Sequence, residues 1–194
     1  MTAPAAPTFV RTLSTPAAAA LADLAATFEE LQTVLGCCER LVSALAAPAP
    51  DEVLIESLWT TTLLSYSRCF QPGPRGMGLT GEDVTATKLE GAVEDWHSLL
   101  LRMREHFADP AVDPRERFAV GVSRNSDGTA AGIAVTSVRQ PLVDEVTVRQ
   151  TGALAYALLR VVDERIGAQQ QLVFDASSSM TALELDRLPE VELA

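Results

Sequence analysis

Lysine is almost missing from this chain. Lys88 is the one lysine, and arginine makes up the other 14 of the 15 basic residues. Aspartate and glutamate together number 26, so the formal net charge is −11. A protein that coats DNA or binds an anionic membrane surface needs a basic face. The shortage of positive charge therefore excludes a DNA-coating role and disfavours RNA as a partner.

Long apolar runs, paired cysteines and a basic N-terminal segment are missing as well. No stretch of 18 apolar residues is present to span a membrane. The first 15 residues have neither the basic start nor the apolar centre of a secretory signal. The three cysteines lack metal-ligand spacing, and their odd number argues against a disulfide framework. We therefore expect a cytoplasmic protein with reduced thiols and no membrane contact.

Histidine is scarce, which limits metal chemistry. His97 and His106 are the two histidines, and a separation of nine residues places them on opposite sides of one helix. They cannot ligate one metal ion within that helix, and the Lys-Ser or Lys-Thr step of a phosphate-binding loop is missing too. We predict neither a metal site nor a cofactor.

Aromatic residues make up only 5% of the 194 residues, whereas alanine and leucine are abundant. Cores built from small residues and leucine are typical of helices. The length suits one domain. We predict a mainly α protein, a four-helix bundle with one β-hairpin between helices 3 and 4. The domain spans 15–174, preceded by a flexible leader at 1–14 and followed by an acidic, mobile tail at 175–194.

The first two helices are predicted from capping residues and apolar periodicity. Thr15 and Pro16 begin helix 1, and Pro48 and Pro50 end it. One stripe at helical spacing carries Leu21, Leu24, Phe28, Leu31, Leu35, Cys38, Val42 and Leu45. Helix 2 follows Asp51 and runs to Phe70, with apolar residues on most sides, which indicates a central position.

The second half of the chain combines two helices with a hairpin. Helix 3 is predicted over 84–108, with Thr80 and Asp83 as a capping box before it. Strands over 117–123 and 129–138 flank a turn rich in Asn, Asp and Gly. A lone hairpin is marginally stable, so we expect it to lean on the helices or to gain residues 172–174 as a third strand. Helix 4 is predicted from Asp144 to a stop at Gly167.

Arg102 and His106 lie four residues apart and share one face of helix 3. A guanidinium matches phosphate oxygens, and an imidazole titrates near neutral pH, so the two form a minimal RNA-cleaving pair. This stretch resembles the HEPN family, helical bundles of toxin and defence systems, many of which cleave RNA through an Arg and a His at a dimer interface. Three residues separate the pair here, where the family has four to six. The resemblance implies a metal-independent ribonuclease or an inactive relative.

Two further arginines extend that hypothesis. Arg68 lies near the end of helix 2, and Arg75 lies in the Gly-rich loop that follows it. If both approach Arg102 and His106, they form an anion-binding site between helices 2 and 3. The alternative is that Arg68 favours the negative end of the helix dipole and Arg75 lies in an ordinary linker.

Three functions remain open at this point. The leading hypothesis is a non-enzymatic helical bundle that acts through self-association and protein–protein contacts, with helix 1 packing across a two-fold axis. The second is the HEPN-like ribonuclease. The third is a small-molecule sensor whose pocket is lined by Trp59, Tyr66 and Trp96.

Overall fold

The computed structural model describes residues 10–70 and 76–191. In this part of the chain the protein is mainly helical, with two small antiparallel sheets. The helices are α1 (Pro16–Leu45), α2 (Glu52–Arg68), α3 (Gly81–Ala86), α4 (Val93–Ala108), α5 (Glu145–Ser178) and α6 (Ala182–Asp186). The strands are β1 (Val10–Arg11), β2 (Glu116–Arg124), β3 (Ala130–Arg139) and β4 (Glu190–Val191). None of the helices in these two ranges is both long and apolar enough to cross a membrane.

Helix α1 begins as its sequence predicts. The Thr15 side chain accepts a hydrogen bond from the Ala18 backbone N–H at 3.2 Å, and Pro16 is the first helical residue. Helices α1 and α5 pack together. Gly152 lies against Cys38, and the Gln169 side chain donates a hydrogen bond to the Ala17 carbonyl at 2.9 Å, so the two helices are antiparallel. Helix α2 packs on another side of α1.

The core forms between α1, α2, α4 and α5. Tyr66 near the end of α2 contacts His97 near the start of α4, so these two helices are also antiparallel. In the stripe of α1, Leu24, Leu31 and Cys38 are buried and the other residues are half-buried. The largest fully buried side chains are Tyr66, Leu24, Leu31, Leu41, Ile55, Leu63, Leu100, Leu154, Leu158, Val34, Val84 and Val148.

The predicted helix over 84–108 is in fact two helices. Lys88 has φ 55° and Gly91 has φ 96°, and a right-handed helix cannot continue through such residues. The capping box predicted at Thr80 and Asp83 is confirmed, and it begins α3. Leu89, which lies inside the predicted helix, falls in the break and is 38% exposed.

Two C-terminal predictions were wrong, the end of helix 4 at Gly167 and the third strand at 172–174. Helix α5 passes through Gly167 and ends at Ser178, so residues 172–174 are helical and cannot be a third strand. Residues 175–191, predicted as a mobile tail, contain the last turn of α5, then α6 and β4. Strand β4 pairs with β1, which lies in the predicted leader at 1–14. Residues 1–9 and 192–194 lie outside the described ranges.

The hairpin is confirmed and is one residue longer at its base on each strand. Glu116 pairs with Arg139, and Val120 pairs with Val135 midway along. The expectation that it leans on the helices was wrong, because both strands are exposed almost throughout. No other strand between residues 10 and 191, where the structure describes them, pairs with it.

Candidate functional site

The hairpin of β2 and β3, residues 116–139, is hereafter the arm. In an antiparallel pair, directly opposed residues point to the same side of the sheet, and successive residues alternate between sides. The register places Phe118 opposite Ser137, Val120 opposite Val135 and Val122 opposite Ile133. Five of these six side chains are apolar, and they form one continuous surface that we call the apolar face: Phe118, Val120, Val122, Ile133 and Val135.

The apolar face is open to solvent. Its five side chains are between 58% and 73% exposed. Isolated apolar residues are common at protein surfaces, but contiguous apolar patches of several hundred Å² are rare on monomers and mark contact sites. The opposite face carries mainly small residues, including Ala119, Gly121 and Ala134. The arm is therefore a two-sided ribbon with one exposed apolar side and one side of mainly small residues.

Local hydrogen bonds define the end of the arm that is distant from the helices. The Asn125 N–H donates to the Thr129 carbonyl at 2.8 Å, and Gly128 adopts φ 87° to complete the turn. Asp127 accepts hydrogen bonds from the Thr129 hydroxyl and N–H, and these bonds lower the pKa of its carboxyl. The turn chemistry thus fixes the strand register without help from the rest of the chain.

Ion pairs hold the base of the arm to the start of α2. Arg115 Nε lies 2.6 Å from Glu56 Oε1, and Arg139 Nη1 lies 2.6 Å from Glu52 Oε2. Arg139 also lies 3.7 Å from Glu116, its cross-strand neighbour. Both arginine side chains are about 70% exposed, and such pairs contribute only about 0–1 kcal/mol each. They orient the arm more than they stabilise the fold.

A cleft of about 700 Å³ opens beside this base. Its walls come from the start of α2, the end of α4, the arm and the segment that leads into α5. Trp59, Met103 and Phe107 supply apolar walls. The lining includes four carboxylates and two arginines, Arg115 and Arg139. Both arginines are already paired, with carboxylates of Glu56, Glu52 and Glu116. The cleft is consequently acidic.

Both members of the predicted catalytic pair lie on α4, one helical turn apart. His106 is exposed and lines the cleft, whereas Arg102 is exposed on α4 and is not part of the lining. Arg68 bonds Glu30 of α1 through its Nε at 2.8 Å. Arg68 follows Glu56 by 12 residues on α2, which is about 18 Å along the helix axis, so the structure does not bring it to His106.

The predicted anion site in the Gly-rich loop is described only in part. Arg75 lies outside the described residues. The next two residues, Gly76 and Met77, donate their backbone N–H groups to Asp23 Oδ2 at 2.7 and 3.2 Å. A carboxylate of α1 therefore occupies the donors that an anion would use there.

The other histidine, His97, is half-buried between α2 and α4. His97 Nδ1 lies 2.8 Å from the Tyr66 hydroxyl, and the Phe70 ring packs against the imidazole. Burial lowers the pKa of His97, which keeps the ring neutral. Trp59 and Tyr66, proposed as the lining of a sensor pocket, are core residues, although Trp59 also reaches the wall of the cleft.

The cysteines and acidic residues give no reactive or metal-binding cluster. Burial raises the pKa of Cys37, and it raises the pKa of Cys38 to about 12, so both remain thiols at neutral pH. Within 10–70 and 76–191, no three side chains of His, Cys, Asp or Glu are grouped to hold a metal ion.

Comparison with known proteins gives no assignment: no protein-family model, no curated protein and no solved structure matches this chain. The functional argument therefore depends on the site itself. The feature that the sequence analysis missed is the apolar face. Its signal is the alternation of Phe118, Val120 and Val122, within a hairpin that we expected to lean on the helices or to gain a third strand.

Proposed function

We propose that this is a non-enzymatic helical protein that acts through protein–protein contacts, self-association included, and that the arm is its contact surface. In this proposal α1, α2, α4 and α5 form a four-helix bundle that supports the arm. The single observation that carries the proposal is the exposure of the apolar face, between 58% and 73% for each side chain.

The size of the apolar face supports a role in binding. Five side chains that expose about 100 Å² each give about 500 Å², which at about 25 cal/mol per Å² corresponds to roughly 12 kcal/mol when fully removed from water. Association costs about 4–15 kcal/mol in lost freedom. The gain from one apolar face is of the same size as this cost, so binding also needs apolar area from the partner surface.

The proposed contact moves from helix 1 to the arm for a packing reason. Leu24, Leu31 and Cys38 of the α1 stripe are buried among residues of the same chain. To use this stripe for self-association, α1 would have to leave α2 and α5. The arm needs no such rearrangement, because its apolar side chains already face water.

A HEPN-like ribonuclease is the second candidate, and one observation favours it: His106 lies at the wall of the cleft. The charges around it favour the leading proposal instead, because a phosphate backbone would meet four carboxylates and two arginines that are already paired. Incubating the protein with total RNA tests this candidate. Cleavage that His106→Ala abolishes and Arg160→Ala preserves would support it, and intact RNA would refute it.

Photo-crosslinking tests the leading proposal without assuming a partner. A photoreactive amino acid replaces Val120 on the apolar face, or Arg160, which is exposed on α5, in the full-length chain produced in its source organism. We expect covalent protein adducts from position 120 and few from position 160. If position 120 gives no adduct above position 160, the arm is not a contact surface.

A further inference from the structure

We infer that the apolar face binds the apolar face of a second copy of this chain, so that two arms stack face to face across a two-fold axis. This inference rests on the proposed function and names the partner. Its product is a four-stranded, two-layered β structure built from two hairpins, each of which is marginal alone. The axis passes near Val120 and Val135, the middle row of the arm.

The apolar face is complementary to itself. A two-fold interface brings the same patch of both subunits together, so the patch must tolerate its own copy. The three central rows, which pair Phe118 with Ser137, Val120 with Val135 and Val122 with Ile133, contain no charged residue. Side chains from two such faces interdigitate across a layer about 10 Å thick, as in β-sandwiches.

Charge also selects the arm as the place where two copies meet. The chain carries −11 in total, whereas the arm, residues 116–139, contains three arginines, Arg117, Arg124 and Arg139, against two acids, Glu116 and Asp127. The arm thus has a net charge of +1 and the remainder has −12. From Glu116 to Arg124 the strand extends about 26 Å, well beyond the screening length of about 8 Å at physiological salt. Contact through the arms keeps the acidic helical regions apart.

The same charges favour an antiparallel arrangement of the two arms. Arg124 lies at the turn end of the arm, whereas at the base three carboxylates, those of Glu116, Glu52 and Glu56, outnumber the two arginines that pair with them, Arg115 and Arg139. Antiparallel stacking places Arg124 of each copy over the carboxylates of the other copy. Parallel stacking would bring the two acidic bases together, which costs energy.

The buried area predicts a reversible dimer. Two apolar faces contribute roughly 1,000 Å², and the flanking residues bring the total near the lower end of the roughly 1,200–2,000 Å² typical of specific complexes. We therefore expect a dissociation constant in the micromolar range rather than an obligate dimer.

Sedimentation equilibrium of the full chain tests the inference, since a dimer has twice the monomer mass of 20.7 kDa. We expect Val120→Lys to weaken dimerisation by about 100-fold or more, because symmetry places both substitutions at the axis. Ala119→Lys is the matched control, with the same added charge on an adjacent exposed residue of the opposite face. Circular dichroism checks that both variants fold. A monomer at 100 μM, or a dimer equally stable in both variants, overturns the inference.

Spin labels test the orientation. With Ser126→Cys in the turn, antiparallel arms place the two labels about 30 Å apart, whereas parallel arms place them about 10 Å apart. A short distance overturns the arrangement proposed here. If the purified chain is monomeric while position 120 crosslinks to a different protein, the second-copy inference fails and the proposed function stands. If position 120 crosslinks to nothing, both fail.

Discussion

Helix α5 continues through Gly167, so we expect that replacing this glycine will stabilise the protein rather than destabilise it. Gly167 is exposed, lies inside α5, and would place an added Cβ in open space with no atom within 4 Å. Alanine is favoured over glycine by about 1 kcal/mol in a helix interior. Gly167→Ala should therefore raise the free energy of unfolding by about 0.5–1 kcal/mol and Tm by about 1–4 °C.

Gly91→Ala is the matched opposite. An added Cβ at Gly91 also meets nothing within 4 Å, but its φ of 96° is strained for any residue with a side chain, so we expect a loss of about 1–2 kcal/mol. Urea unfolding followed by circular dichroism measures both variants. Destabilisation by Gly167→Ala would refute the reasoning, because it would place Gly167 in the left-handed conformation of a helix end, as the sequence alone had predicted.

Three further predictions concern buried polar groups. Asp83 is 4% exposed, accepts hydrogen bonds from Thr80 and pairs with Arg165. Asp83→Ala should therefore lower the free energy of unfolding, measured in urea, by about 2–3 kcal/mol. A loss below about 1 kcal/mol would contradict this. The pKa of His97 is lower in the folded protein than in the unfolded chain, so the unfolded chain binds a proton at this residue more readily. His97 therefore lowers the free energy of unfolding as the pH drops through and below about 6.5. Thermal unfolding of His97→Gln between pH 7.5 and 5 should show a weaker pH dependence than the parent, and equal slopes would refute it. Because the pKa of Cys38 is raised to about 12, iodoacetamide at pH 8 should alkylate it about 1,000-fold more slowly in the native protein than in urea, as peptide mass spectrometry can measure.

Local signals predicted most of the secondary structure. Thr15 and Pro16 mark the start of α1, and Asp51 marks the start of α2. The Thr15 and Asp51 side chains accept hydrogen bonds from backbone N–H groups in the first turn of each helix. The hairpin followed from β-branched alternation around the Asn125–Gly128 turn. Such features depend on neighbours a few residues away, so the sequence displays them directly.

Features that depend on distant partners were not predictable in this way. Gly167 looks like a helix end, yet α5 continues to Ser178, and Gln169, two residues beyond the glycine, bonds to Ala17 at the start of α1. The sequence leaves open whether Arg68 joins an anion site, because its ion pair with Glu30 depends on how α1 and α2 pack. The cleft is a product of four separate segments, and His106 gains its position there only through the antiparallel packing of α2 and α4.

The arm shows how a failed expectation can carry functional information. Its alternation of apolar and small or polar residues is the pattern of a strand with one buried face, and the register is well defined by the turn and by Glu116 and Arg139 at the base. The pattern predicts that one face is buried, yet the apolar face is exposed in the structure. The local sequence pattern and the observed burial therefore conflict within this chain. Natural sequences keep such conflicts mainly at functional positions. The same alternation that failed to predict packing against the helices is thus the strongest argument that the arm packs against a surface supplied from outside the chain.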